Sequence, residues 1–181
     1  EDRFAEVYLA LASHIDASGR EWIKVRLPQR PNGRTGWVAR EALGDFRINR
    51  QHLLIDRARL RATLRVDGKV VWRARIGVGK RGTATPAGRF YVREIFKVSG
   101  QPMYGTFAIG TSAYSPTLSD WPKGGIIGIS LFAPGLAAGN HGTNQPQLIP
   151  GRPSHGCIRV RNADIAKLRK LIRIGTPIEI K

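Results

Sequence analysis

Sulphur is almost absent from this chain: one cysteine, Cys157, and one methionine, Met103, in 181 residues. A lone thiol cannot close an intrachain disulfide, so a disulfide-stapled scaffold is excluded. Cys157 is left as a packing residue, a metal ligand or a nucleophile. Acidic residues are scarce as well, with 13 Asp and Glu against 30 Lys and Arg, a formal net charge of +17. The basic residues are spread out: Arg57, Arg59, Arg61, Arg65, Arg73 and Arg75, then Lys167, Arg169, Lys170 and Arg173. They read either as solvated sheet and helix faces or as attraction to a polyanion, nucleic acid or an anionic envelope polymer. No zinc-finger spacing or RNA-recognition signature accompanies them, which weighs against nucleic acid. No run approaches the ~18 apolar residues of a membrane helix. No apolar h-region follows Glu1-Asp2-Arg3, so neither a signal peptide nor an anchor is read here. Internal repeats and low-complexity tracts are missing too. What is present is a hydrophobic fraction of 41%, ordinary for a chain with a buried core.

Two regimes divide the chain. From Phe4 to Phe46, short apolar runs are cut by polar turns: EVYLALASHI, DASGR, EWIKVRL, PQRPNGRTG, WVAREAL. Trp22 to Leu27 includes the period-2 alternation of a half-buried strand, and Asn32-Gly33 is a turn signal. This predicts a small all-β module over residues 1–46. A second unit is expected over 47–181. His52 to Ile55 reads as a short strand, and Leu60, Ala62, Leu64 and Val66 alternate with polar residues. Asp67-Gly68 then marks a hairpin into Val70–Val78, and Thr85-Pro86-Ala87-Gly88 a turn into the strand Arg89–Val92. Ser99 to Asn140 is rich in Gly, Pro and aromatics and reads as a long loop, either a substrate-covering lid or a surface excursion. Helical signal comes late: Asn162 is placed as the cap of a helix through Ile172, with Ile165, Leu168 and Ile172 on one face. Gly175 fits the stop, and Pro177–Ile180 a last strand. The short linker Gly44–Arg50 favours two packed units over two tethered ones.

The surroundings of Cys157 argue for chemistry. His155 lies two residues earlier and shares its face if the segment is extended. Gly156 clears space beside the sulphur. A second histidine, His141, stands upstream in NHGT. A thiol with an adjacent histidine is the minimum for thiol catalysis, because the imidazole takes the thiol proton. A turn at His155-Gly156-Cys157 can aim N–H groups at a developing oxyanion. His141, His155 and Cys157 as metal ligands are the weaker reading, since the spacing matches no usual zinc pattern and no carboxylate completes the set. GVGKRG, Gly77 to Gly82, is not a phosphate loop, because its lysine is followed by Arg81 and not by Ser or Thr.

HGT (His141 to Thr143) followed by SHGCIRV (Ser154 to Val160) resembles the signature of the L,D-transpeptidase catalytic domain, the YkuD-like family. TPAGRF (Thr85 to Phe90), the DGK hairpin and NADIAKL…GTPIEI add to the likeness, which covers roughly residues 48 to 181. TGWVAREALG in the first unit is similar to the closing strand and turn of bacterial SH3-like domains. The resemblance implies a mostly-β protein: a β-sandwich catalytic domain with a C-terminal helix, preceded by a small SH3-like β-barrel. It implies an extracytoplasmic enzyme of the cell wall or periplasm acting on peptidoglycan stem peptides. Cys157 would be the nucleophile and His141 the base, with the Gly142 carbonyl orienting the imidazole. His155, Gly156 and the Cys157 amide would shape the oxyanion hole. Ser154 belongs to the same substrate-binding motif, and Arg159 matches a substrate-contacting position, suited to a carboxylate. No metal or organic cofactor is implied. Anionic cell-wall polymers are candidate partners; nucleic acid is not.

One departure stands out. The strand Ile126–Ile129 is expected to run directly into the catalytic His-Gly, yet SLFAPGLAAGN, Ser130 to Asn140, intervenes before His141. Tyr104, Tyr114 and Trp121 are candidate substrate-facing aromatics, with packing as the alternative for each. Other readings are an L,D-carboxypeptidase that hands the same thioester to water, a non-catalytic wall-binding protein, and a nucleic-acid binder.

Overall fold

The computed structural model describes residues 6–97, 107–118, 125–131 and 146–181. Residues 9–39 carry a three-stranded antiparallel sheet of β1 (Leu9–Ile15), β2 (Glu21–Arg26) and β3 (Thr35–Ala39) in the order β1-β2-β3. The alternation read in β2 is real: Ile23 and Val25 are buried, while Trp22, Lys24 and Arg26 are half-buried on the other face. The β1–β2 turn is built on Asp16. Its carboxylate accepts from the Ser18 and Arg20 amides at 2.9 and 3.1 Å and from the Trp22 indole at 2.8 Å. Asn32-Gly33 lies in a longer connection than a two-residue hairpin, closed by Leu27 N–H donating to Arg34 C=O at 3.0 Å.

The remaining strands are β4 (Gln51–Asp56), β5 (Arg61–Val66), β6 (Lys69–Gly79), β7 (Gly88–Lys97), β8 (Phe107–Tyr114), β9 (Ile126–Leu131), β10 (Gly151–Ser154), β11 (Ile158–Val160) and β12 (Pro177–Ile180). They form one sheet in the order β10-β6-β11-β9-β8-β7-β12-β4-β5. An additional β5–β6 pairing closes it into a ring of eight strands, with β10 joined to β6 alone. Every ring strand sends apolar side chains into one core, from Leu53 and Leu64 through Ile76, Phe90, Ile109, Ile129 and Ile158 to Ile178. The β5–β6 hairpin turns at Asp67-Gly68 with φ of 48° and 76°, the doubly positive geometry that the Asp-Gly pair favours.

The helix α1 (Asn162–Leu171) buries Ile165 and Leu168 in that core. Its position is fixed at both ends, by Trp72 Nε1 donating to Asp164 C=O at 3.0 Å and Gln51 Nε2 to Leu171 C=O at 2.7 Å. Asn162 is not the cap. It is the first helical residue, Arg161 holds the extended cap position, and no side chain caps the helix. The Arg161 carbonyl accepts the first amides instead, those of Asp164 and Ile165.

The expectation of one loop from Ser99 to Asn140 is corrected by β8, while the strand expected over Ile126–Ile129 is found in β9. FAIGTSAY reads as a continuous run of apolar and small residues, because β8 is buried on both faces from Ala108 to Ala113. Tyr104 and Trp121 lie outside the described residues. Tyr114 does not present itself as a substrate-facing aromatic: it ends β8 against the N-terminal unit, donating its hydroxyl to Pro28 C=O at 2.8 Å. The Asn32 amide pairs with both backbone groups of Tyr114, at 2.8 and 2.9 Å. Arg30 donates to the carbonyls of Ser115 and Leu118 and stacks over the Tyr114 ring at 5.1 Å.

Candidate active site around Cys157

Strand β6 is flanked by β10 on one side and β11 on the other, so the four residues Ser154 to Cys157 must cross over its end. Gly77 pairs with Gly151 in β10 and with Arg159 in β11. The crossing is anchored where Lys80 N–H donates to Ser154 C=O at 2.8 Å. Close approach requires a bare backbone at the end of β6. A Cβ on Gly79 would stand 2.2 Å from the Thr83 carbonyl oxygen, so no other residue fits.

Two buried hydroxyls then fix the turn. Ser154, 3% exposed, accepts from Gly156 N–H at 3.1 Å and donates to Cys157 C=O at 2.6 Å. Thr85, 1% exposed, donates to Gly156 C=O at 2.7 Å and accepts from Gly79 N–H at 2.9 Å. Gly156 thus has both backbone groups satisfied by side chains, and its φ of 128° lies where L side chains are strained. A Cβ there would also meet Ile127 Cδ1 at 2.9 Å. The outcome is a rigid loop that presents Cys157 as a free, half-buried thiol. Thr85 is itself held by Arg57, whose guanidinium donates to the Thr85 carbonyl at 2.7 Å.

Arg159 follows in β11. Ile158 and Val160 point into the core, so Arg159 points out of the ring, where it is 8% exposed and donates to Ser130 Oγ on β9 at 2.8 Å. Ser130 is paired with Arg159 in register, so the segment SLFAPGLAAGN begins inside β9 and not after it. His155 is half-buried beside the turn. His141, with Gly142 and Thr143, lies outside the described residues. The structure therefore brings together Ser154, His155, Gly156, Cys157 and Arg159. Sequence reasoning missed two parts of this site, Thr85 and Gly79. TPAGRF signalled a turn without showing that its hydroxyl reaches a carbonyl 71 positions away. GVGKRG was set aside as a phosphate loop, and its second glycine is the seat of the cysteine turn.

Comparison with known proteins gives the chain a family. The family described as YkuD, L,D-transpeptidase catalytic domain, matches residues 50–180. The putative L,D-transpeptidase YkuD of Bacillus subtilis is 30% identical over 129 residues, 71% of this chain and 65% of that protein. A solved structure from Bdellovibrio bacteriovorus is 25% identical with a TM-score of 0.51, covering 73% of this chain and 47% of the other. The Enterococcus faecium L,D-transpeptidase, solved as a cysteine-to-serine mutant, has a TM-score of 0.52 at 24% identity, covers 74% of this chain and 50% of the other, and supports the fold. The chain spans about two thirds or less of the length of these relatives. With the family matching well over half of its residues, the chain belongs to the YkuD family of L,D-transpeptidase catalytic domains.

Proposed function

We propose that this protein is a peptidoglycan L,D-transpeptidase that forms 3→3 cross-links through a thioester on Cys157. The rigid turn that presents a single free thiol beside His155, in a chain of this family, carries the reading. His141 takes the proton from Cys157, with the Gly142 carbonyl orienting its ring. The sulphur attacks the carbonyl of the third stem residue, a diamino acid. The tetrahedral intermediate collapses, its C–N bond breaks, and D-Ala leaves carrying the proton from His141. The side-chain amine of a second stem then attacks the thioester, forms the cross-linking amide, and returns a proton to the sulphur. Since the Gly156 N–H is already held by Ser154, the oxyanion falls to the Cys157 amide among the turn's candidates. Arg159 keeps donors beyond the one bound to Ser130 for a stem carboxylate. Residues 1–46 form an SH3-like module that buttresses residues 47–181, and the site of action is the cell wall or periplasm.

The test is mass spectrometry of wild type and Cys157→Ala after incubation with a disaccharide-tetrapeptide. Cross-linked dimer with loss of one D-Ala, from wild type alone, is the expected outcome. Tripeptide without dimer would identify an L,D-carboxypeptidase that passes the same thioester to water. Absence of both product and acyl-enzyme from folded wild type would refute the enzyme reading.

A further inference from the structure

The outer surface of the strand ring is covered unevenly. Over β7 and β8 it is overlaid by the N-terminal unit, through Glu6 to Arg93 and Asn32 to Tyr114. Over β5 and β6, among the described residues, it exposes arginines. Arg61 and Arg75 stand directly opposite each other in the antiparallel register, so their side chains leave the same face about 5 Å apart. Arg73 follows on that face, roughly 6.7 Å along β6 from Arg75. All three are exposed, and among the described residues none has a carboxylate within ion-pair distance. Asp56 stands opposite Arg61 across the β4–β5 pairing, but its carboxylate pairs with Arg59, and Glu179 pairs with His52 and Lys181. Like charges directly opposite on a sheet destabilise it. This face thus carries three cations without a paired carboxylate among the described residues.

We infer that Arg61, Arg73 and Arg75 form a docking surface for a linear phosphodiester-linked polymer of the cell envelope. Charge complementarity supplies the attraction, and the guanidinium fork suits a tetrahedral oxyanion. A phosphodiester-linked polyol carries one charge per short repeat, which suits successive outward positions of a strand. A uronic-acid glycan spreads its carboxylates over whole sugars. Single-stranded nucleic acid is disfavoured because no Trp, Tyr or Phe stands among these outward positions to stack on a base. The face adjoins the reaction centre: two residues beyond Arg75, Gly77 pairs with Arg159, which also points out of the ring. Polymer held here would keep the enzyme on its substrate layer. The choice of an envelope polymer rests on the transpeptidase reading, whereas the binding does not.

The experiment compares two triple variants that remove equal charge, Arg61→Gln/Arg73→Gln/Arg75→Gln on this face and Lys167→Gln/Arg169→Gln/Lys170→Gln on the exposed side of α1. Affinity for soluble poly(glycerol phosphate), for polyglutamate and for duplex DNA is measured across a salt series. The face variant should lose about tenfold affinity for poly(glycerol phosphate), and its salt slope should flatten by about 2, while the helix variant stays near wild type. Equal losses in the two variants, or no loss in either, would reduce the effect to net charge and overturn the inference. Tighter binding of polyglutamate or DNA by the wild type would overturn the named occupant. Arg75→Gln alone, which leaves Arg61 with Asp56 across from it, should raise Tm slightly without polymer by relieving the opposed charges; a lowered Tm contradicts the like-charge argument. Turnover of free disaccharide-tetrapeptide should be unchanged in the face variant. Face-specific binding by a wild type that turns over no stem peptide would leave this inference standing and remove the transpeptidase one.

Discussion

The cysteine turn and the clasp between the two units both hold a stretch of backbone by side-chain hydrogen bonds, and they do so in opposite settings. At the cysteine turn, the hydroxyls of Thr85 and Ser154 satisfy Gly156 and Cys157 in a site where both side chains are at most 3% exposed. At the clasp between the N-terminal sheet and the strand ring, Asn32 and Arg30 hold Tyr114, Ser115 and Leu118 by part-buried bonds. Water can replace a broken bond at the clasp and cannot at the turn, so the same kind of bond carries different consequences. Rigidity is concentrated where a sulphur must be aimed, while the clasp can open and reform.

Thr85→Val should show the largest effect. It keeps the shape of the side chain but leaves the Gly156 carbonyl and the Gly79 amide without their partner, at a cost of about 2–4 kcal/mol. Displacement of the turn should lower the acylation rate on the order of 100-fold, with KM little changed. Thr85→Ser keeps the hydroxyl and should restore most of the rate. Urea unfolding and single-turnover acylation measure the two effects, and a Thr85→Val enzyme with wild-type acylation would dissolve the contrast between turn and clasp. Gly156→Ala comes next. A residue with φ near 128° and a Cβ against Ile127 costs about 1–3 kcal/mol, and acylation should fall with it. Ile127→Val, made with Gly156→Ala, should recover only the part due to contact with Cδ1.

Asn32→Ala tests the other side. Losing two bonds to Tyr114 should cost about 1 kcal/mol, since water enters in their place. Turnover should change by less than about threefold. A stability loss as large as that of Thr85→Val would show the clasp to be as dry as the turn.

How much of this was legible in the sequence follows from the range of the interactions. Asp67-Gly68, the strands read at His52–Ile55, Leu60–Val66 and Val70–Val78 and the apolar stripe of α1 are local, and the structure has them where they read. Local signals failed where distant chain decided. The strand β8 hid in a Gly-rich span because both its faces are covered, which removes alternation. Asn162 looked like a cap and is not one, since the Arg161 carbonyl already accepts the first helical amides. At the site, SHGC named the thiol and its neighbours. The bond from Thr85 to Gly156 and the contact of Arg159 with Ser130 exist only because the ring brings β6, β11 and β9 side by side.

The smallest effect expected is a pH dependence confined to the N-terminal sheet. The Ser18 hydroxyl, then the Trp22 indole, then the Arg20 amide hold the Asp16 carboxyl below the usual carboxylate range. Because the folded form binds its proton less readily than the unfolded form, this contribution is complete above the ordinary carboxylate range. It is lost as pH falls through the depressed folded value. Trp22 donates directly to this carboxylate, so its fluorescence follows the change. In an acid titration, the wild-type signal should hold until below the usual carboxylate range and then shift, while Asp16→Asn should remain flat. Acylation by Cys157 at neutral pH should be indifferent to that substitution. A matching drop in turnover would mean that the turn and the N-terminal sheet are coupled, and that the clasp is not the loose joint its part-buried bonds describe.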